Sequence, residues 1–140
     1  MAHPRGVTLL EAMIGLAFAT TTTSIGVVQL VELVHGAELA GAARTLATAM
    51  RVARGQALAG LGPMDVRFDG AGASWAVSDG TGVTRETHRL PPGVAFAGLP
   101  VRQHIQFGAL GTADNGTVTL AAGARTRRVV VNQRGRVRVQ

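Results

Sequence analysis

The sequence contains no cysteine, no lysine and no tyrosine, and its aromatic residues are one tryptophan and four phenylalanines. The absence of cysteine excludes disulfides, thiol catalysis and cysteine-based zinc sites. It does not locate the protein, because an oxidising compartment permits disulfides without requiring them. With so few aromatic residues, the core of any folded domain must be built mainly from valine, leucine and alanine.

The second scarcity is negative charge. The 140 residues include 14 arginines against 8 acidic residues, a net charge of +6, which hints at an anionic partner. The four histidines are scattered along the chain, so we expect no metal site and no cofactor; they are His3, His35, His88 and His104. No pairing of a nucleophile with a base stands out in the sequence. We therefore expect a protein that is not an enzyme.

The N-terminal region is apolar, with one exception. Between Val7 and Val31 the only charged side chain is Glu11, and the uncharged run that follows it is about 20 residues long, enough to cross a ~30 Å hydrocarbon layer as a helix. Glu11 could lie near the end of this helix and reach the lipid headgroups. Alternatively, cleavage after Gly6 would create a new amine at Val7, and Glu11 could pair with that amine on a neighbouring copy, which would remove both charges from the apolar environment together.

The helical pattern continues beyond this run. Six apolar residues recur at spacings of three and four, which places them on one face of a helix; they are Leu39, Ala43, Leu46, Met50, Ala53 and Ala57. Three arginines lie off this face, and a cluster of glycine and proline at residues 60–63 predicts the end of the helix. The second half of the helix therefore needs a sheet against which to pack.

The remainder of the chain predicts β-structure. Short runs at residues 64–68, 74–78 and 83–90 are separated by glycine-rich turns, and further short strands follow as far as residue 139. Asn115-Gly116 is the clearest hairpin-turn signal. The C-terminal residues predict a second hairpin between residues 129–132 and 136–139, in which Gly135 adopts a positive φ. We expect the single Trp75 to belong to the core.

The C-terminal arginines form the most conspicuous charge pattern. After Asp114 there are six arginines and no acidic residue. In a strand, Arg136 and Arg138 face the same way, about 6.6 Å apart, while Val137 and Val139 face the core. We expect Arg125 and Arg127 to extend the same ridge and Arg134 to lie in the turn. Arginine makes bidentate contacts with phosphate, so the pattern favours an anionic partner over an edge strand that is merely protected from aggregation by charge.

The N-terminal motif "RGVTLLEAMIGL" resembles the processing site of type IV prepilins and type II secretion pseudopilins. That resemblance implies that a prepilin peptidase cleaves between Gly6 and Val7 and methylates the new amine, and that Glu11 serves in filament assembly. The first mature residue of these proteins is usually phenylalanine and is Val7 here. The sequence also lacks the usual proline within the first helix.

The C-terminal sequence from Ile105 to Val139 resembles the GspH/FimT group of minor pilins and pseudopilins, including their Gly-Arg-x-Arg motif, here Gly135 to Arg138. FimT-like members use this motif to bind DNA for uptake in natural transformation. GspH-like members instead have a structural role near the tip of a type II secretion pseudopilus. The resemblance thus implies either a DNA-binding minor pilin or a pseudopilin, and the intact motif favours the former.

Together these patterns predict an α+β, pilin-like fold, in which a long N-terminal helix packs on a small antiparallel β domain. We expect a leader at residues 1–6, a membrane-spanning and filament-core helix at 7–35, its amphipathic continuation at 36–61, and the β domain at 62–140. The implied partners are a prepilin peptidase, other pilins or pseudopilins, DNA and the bacterial inner membrane. The β domain is expected on the periplasmic side, and the protein is expected to enter a pilus or pseudopilus.

Overall fold

The computed structural model describes residues 8–140, except for the side chains of residues 19–30. The chain forms two compact units, Met1–Val34 and His35–Gln140. Helix α1 (Leu9–Gln56) is followed by a turn of π-helix (Ala57–Leu61) and then by eight strands. The strands are β1 (Met64–Asp69), β2 (Ser74–Asp79), β3 (Thr84–Arg89), β4 (Ala95–Gly98), β5 (His104–Phe107), β6 (Gly116–Ala122), β7 (Arg125–Val131) and β8 (Val137–Val139). The predicted α+β class is confirmed.

The described part of the first unit is helical from Leu9 onward. Its large apolar side chains between residues 9 and 18 are exposed; they are Leu9, Leu10, Met13, Ile14, Leu16 and Phe18. In the part of the chain that the structure describes, no helix combines the length and the apolar character needed to cross a membrane.

The second unit is organised around the apolar face of α1. All six residues of the predicted stripe, from Leu39 to Ala57, are at most 1% exposed, which confirms the helical spacing. The stripe consists of three alanines, one methionine and two leucines. The two leucines are buried in the same cluster as the strand residues. Burial of such side chains stabilises the fold by roughly 1.5–3 kcal/mol for each leucine or methionine. Trp75 is also in this core, as predicted, and its ring stacks on His88 at a centroid distance of 4.2 Å.

The strands form two four-stranded antiparallel sheets instead of one. Sheet A has the order β3-β2-β1-β5, and sheet B has the order β4-β6-β7-β8. The inner faces of both sheets contribute to the same core, with Val66 and Phe107 from sheet A and Val118 and Val129 from sheet B among its fully buried members.

The predicted hairpin at Asn115-Gly116 is wrong. Strand β5, before this dipeptide, belongs to sheet A, and β6, which begins at Gly116, belongs to sheet B. The dipeptide therefore lies where the chain crosses between sheets. Gly116 packs tightly there, since a Cβ atom at this position would lie 3.1 Å from the Ile105 side chain. The other predicted hairpin, between β7 and β8, is confirmed, and Gly135 has a φ of 68°.

The turn between β2 and β3 is organised by Asp79. One of its carboxylate oxygens accepts hydrogen bonds from the Thr81 hydroxyl at 2.5 Å and from the backbone N–H groups of Thr81 and Val83 at 3.0 and 3.1 Å. The other oxygen accepts from the Arg85 guanidinium at 3.2 Å. The hydrogen bond from the Thr81 side chain is the main reason that the pKa of Asp79 lies below its ordinary value, with the backbone donors and Arg85 adding to it against the opposing effect of burial.

Because the folded-state pKa of Asp79 is depressed, its contribution to stability is present above the unfolded-state pKa and is lost as the pH falls through the folded value. We therefore predict that Asp79→Asn lowers the melting temperature at neutral pH, and that the difference from the wild type shrinks as the pH falls below the unfolded-state pKa and through the folded-state pKa. Thermal unfolding followed by circular dichroism measures both. Asp114→Asn is the control, because it makes the same substitution at an exposed side chain. A pH-independent difference for Asp79→Asn would contradict this account.

Candidate functional site

The β7–β8 hairpin carries the candidate site. Strand β8 is the edge strand of sheet B and pairs with β7 in the register Val129 with Val139, Val130 with Arg138 and Val131 with Val137. Directly opposite residues of an antiparallel pair share a face of the sheet. Arg138 therefore lies on the same face as Val130, away from the buried Val129 and Val131. Arg136 lies directly before β8 and is also exposed, and its carbonyl accepts a hydrogen bond of 3.2 Å from the N–H of Asn132. The pairing of the two chain segments thus continues to Arg136, which places it two residues from Arg138 on the same face.

The structure does not bring Arg125 and Arg127 onto this face. In the register with β6, Arg127 is opposite Leu120 and Arg125 is opposite Ala122, and both partners are buried in the core. Residues of β7 with odd numbers therefore belong to the inner face of sheet B, whereas Arg136 and Arg138 belong to the outer face. The prediction of one common ridge is wrong because strand alternation divides the arginines between two faces.

Arg125 and Arg127 instead lie where β7 meets helix α1. The Arg125 guanidinium lies so close to Gly36 that a Cβ atom at position 36 would collide with it. Together with Leu39, these residues border a cavity of about 280 Å³ beside the first helical turns of the second unit. Both arginines remain exposed at this end of the sheet.

Gly135 is constrained by its surroundings as well as by its φ. A Cβ atom there would collide with the carbonyl oxygen of Gly111 and would lie 2.6 Å from Nε of Arg54. The Arg54 Nε donates a hydrogen bond of 3.1 Å to that same Gly111 oxygen. A second helical arginine, Arg51, donates to the carbonyl of Val137 at 3.3 Å. Helix α1 is therefore bonded to the edge strand through Arg51, and Arg54 is bonded to the Gly111 carbonyl that packs against Gly135 in the turn. The sequence pattern did not reveal these roles.

Asn132 organises the turn from the other side. Its side-chain oxygen accepts hydrogen bonds from the backbone N–H groups of Arg134 at 3.1 Å and Arg136 at 2.9 Å. Its backbone carbonyl also accepts from the N–H of Gly135 at 2.8 Å. These bonds fix the backbone on both sides of Gly135, so Arg134 projects from the turn and Arg136 begins the outer face. An asparagine just before a glycine-containing turn was the available signal in the sequence.

The N-terminal site residues are described only in part. Gly6 and Val7 lie outside the described residues. Glu11 is exposed, and its backbone N–H donates to the Thr8 hydroxyl at 3.3 Å, while the N–H of Ala12 donates to the Thr8 carbonyl at 3.1 Å. Thr8 is thus the N-cap of α1 and Glu11 occupies its third position, which is the Thr-x-x-Glu pattern of a capping box. Glu11 therefore has a favourable place near the positive end of the helix dipole, independent of any partner.

The constraint on Gly135 gives a prediction. Gly135→Ala should destabilise the protein by at least about 2 kcal/mol, because the substitution combines a left-handed backbone with a collision against Gly111 and Arg54. Gly123→Ala is the matched control: Gly123 has a φ of 57° at the tip of the β6–β7 hairpin, but no atom lies within 4 Å of its added Cβ. It should cost about 1 kcal/mol. Urea denaturation measures both free energies of unfolding, and equal costs would contradict the close approach at Gly135.

Comparisons with known proteins agree with this fold. Residues 42–135 match the family model described as type II transport protein GspH, which is more than half of the chain. The structure is similar to the type IV minor pilin FimU of Pseudomonas aeruginosa, with a TM-score of 0.61 at 18% identity, covering 74% of this chain and 88% of that chain. It is equally similar to the minor pseudopilin EpsH from the type 2 secretion system of Vibrio cholerae, with a TM-score of 0.61 at 15% identity over 74% and 96% of the two chains. A search of curated proteins found no match. The pilin-like fold predicted from the sequence is confirmed, and the chain belongs to the GspH family of minor pilins and pseudopilins.

Proposed function

We propose that this protein is a FimT-like minor pilin that binds DNA without sequence preference through Arg134, Arg136 and Arg138 and serves DNA uptake in natural transformation. Its role is to bind and assemble, with no catalysis. The observation that carries this proposal is the outer face of the β7–β8 hairpin, where exposed arginines stand on a turn that Asn132, Gly135 and Arg54 hold in one conformation.

The distribution of charge supports an anionic ligand. Within the four described strands of sheet B there is no acidic residue, whereas the strands of sheet A contain Asp65, Asp69, Asp79 and Glu86. Charges on sheet A are partly paired, as in the contacts of Arg85 with Asp79 and Arg67 with Asp65 at 3.2 and 3.7 Å. An edge strand needs only one or two charges to prevent aggregation, and it needs no rigid turn. Exposed arginines on a sheet whose strands contain no acidic residue fit phosphate better.

We further propose that the N-terminal segment anchors the protein and joins it to a filament. A prepilin peptidase would cleave between Gly6 and Val7, residues 7–35 would hold the protein in the inner membrane, and Glu11 would then pair with the N-terminal amine of a neighbouring subunit. The exposed leucines and other apolar residues at positions 9–18 support this proposal, because a helix with such a surface needs lipid or other helices around it.

A second candidate function is a structural role near the tip of a type II secretion pseudopilus. The description of the matching family and the similarity to EpsH favour this alternative. The family match also ends at Gly135, so Arg136 and Arg138 lie beyond it. In that case the arginines of the edge strand would contact neighbouring pseudopilins.

The proposed role of Glu11 can be separated from its role in the helix. Glu11→Gln keeps a side chain that can serve in a capping box but removes the charge. We predict that the variant is still cleaved after Gly6, with mass spectrometry finding Val7 at the N-terminus, but that it fails to enter filaments. Thr8→Ala is the control, since it removes the cap and leaves the carboxylate. If Glu11→Gln enters filaments normally, Glu11 acts only in the helix or at the lipid headgroups.

The DNA-binding proposal is tested with the full-length protein in a non-ionic detergent. It should bind duplex DNA of arbitrary sequence with modest affinity, and binding should weaken with salt by about 0.9 logarithmic units per logarithmic unit of salt for each phosphate contacted. Arg136→Ala with Arg138→Ala should lower this slope by about 1.8. Fluorescence anisotropy across a salt titration measures both quantities.

The matched control removes the same charge elsewhere. Arg44→Ala with Arg89→Ala replaces two exposed arginines on α1 and on sheet A, so it changes the net charge equally. This variant should keep the wild-type slope. Absence of salt-sensitive DNA binding by the wild type at low ionic strength would contradict the proposal and favour the pseudopilin alternative.

A further inference from the structure

We propose that Arg128, which no motif includes, is a third phosphate-binding residue of the DNA-binding face. We further propose that this face binds duplex DNA only through contacts to the phosphate backbone of the DNA. The inference rests on the proposed DNA-binding function and extends it from the edge strand to the strand beside it. It follows from the same pairing of β6 with β7 that places Arg125 and Arg127 on the inner face of sheet B.

The position of Arg128 is fixed by its backbone bonds. Its N–H donates to the carbonyl of Gln140 at 2.9 Å, and the N–H of Gln140 donates to the carbonyl of Arg128 at 2.8 Å. Arg128 and Gln140 are therefore directly opposite each other, and Arg138 is the diagonal neighbour of Arg128 on the same face. On its other side Arg128 is opposite the half-buried Thr119 of β6.

The three arginines are spaced so that each can contact a different phosphate. Arg136 lies directly before β8, and extended backbone places it about 6.6 Å from Arg138. Arg138 and Arg128 are about 7–8 Å apart across the two strands. All three side chains are exposed. The outward side chains around Arg128 on β6, β7 and β8 are those of threonine, alanine, valine, glutamine or arginine, and none of these side chains is acidic.

The aromatic residues of the second unit indicate which form of DNA this face can bind. Phe68, Trp75 and Phe107 are buried in the core, and the half-buried Phe96 packs edge-on against Phe68 at 5.9 Å. None of these four rings lies on the outer face of sheet B. Single-stranded DNA is usually bound by stacking bases on exposed aromatic rings, whereas contacts to phosphates alone suit a duplex, whose charge density is higher.

The experiment compares Arg128→Ala with Arg127→Ala in the full-length protein. These neighbours have the same charge and are both exposed, but they lie on opposite faces of β7. Arg128→Ala should weaken binding to a duplex about three- to fivefold and reduce the salt slope by about 0.9, whereas Arg127→Ala should leave both at the wild-type values. Arg128→Lys should retain most of the slope because it keeps a charge that can reach phosphate. Unlabelled single-stranded DNA of equal nucleotide content should compete less well than the duplex.

The outcomes separate the two proposals. If the wild type binds DNA and loses binding in the Arg136→Ala, Arg138→Ala variant, but Arg128→Ala and Arg127→Ala behave alike, then the inference about Arg128 is wrong and the proposed function stands. Stronger competition by single-stranded DNA would overturn the backbone-only recognition of a duplex. If the wild type does not bind DNA at all, both proposals fail. Thermal unfolding of each variant shows whether a loss of affinity reflects a loss of fold.

Discussion

The packing of the apolar face of α1 against the inner faces of both sheets is the constraint on which the rest of the second unit depends. The buried helical positions include several alanines, from Ala43 to Ala57, which belong to one buried cluster with residues of both sheets. Larger side chains such as Leu46 and Met50 fill the space that remains. Truncation of a leucine in such a core costs about 2–5 kcal/mol, so the helix and the two sheets stabilise one another.

The same helix also determines the geometry of the candidate site. Arg51 and Arg54 leave the polar side of α1 and donate to the carbonyls of Val137 and Gly111. Through these contacts, the helix is bonded to the edge strand and to the segment that packs against Gly135 in the turn. The glycine of the Gly-Arg-x-Arg motif is then explained by structure, because only a residue without a side chain fits between Arg54 and Gly111. The arginines of the motif, Arg136 and Arg138, are exposed.

Strand alternation sorts the C-terminal arginines into two groups with different surroundings. Arg125 and Arg127 extend from the inner face beside Gly36 of α1, whereas Arg128, Arg136 and Arg138 extend from the outer face. A charge count along the chain treats all of these residues alike. In the folded domain, the three arginines of the outer group lie together on one exposed face of sheet B.

The sequence by itself determined the elements that depend on local pattern. The periodicity of the helical stripe, the glycine and proline stop signal, the first three strands and the β7–β8 hairpin with Gly135 were all predictable, because helix and strand periods and turn chemistry are short-range properties. Asn115-Gly116 failed as a hairpin signal, since the assignment of β5 and β6 to different sheets depends on contacts far apart in the chain. The placement of Arg127 on the inner face and of Arg128 on the outer face of sheet B likewise required the tertiary structure. Alternation shows that neighbours in a strand face opposite ways, but only the burial of Val129 and Leu120 against the helix decides which way is inward.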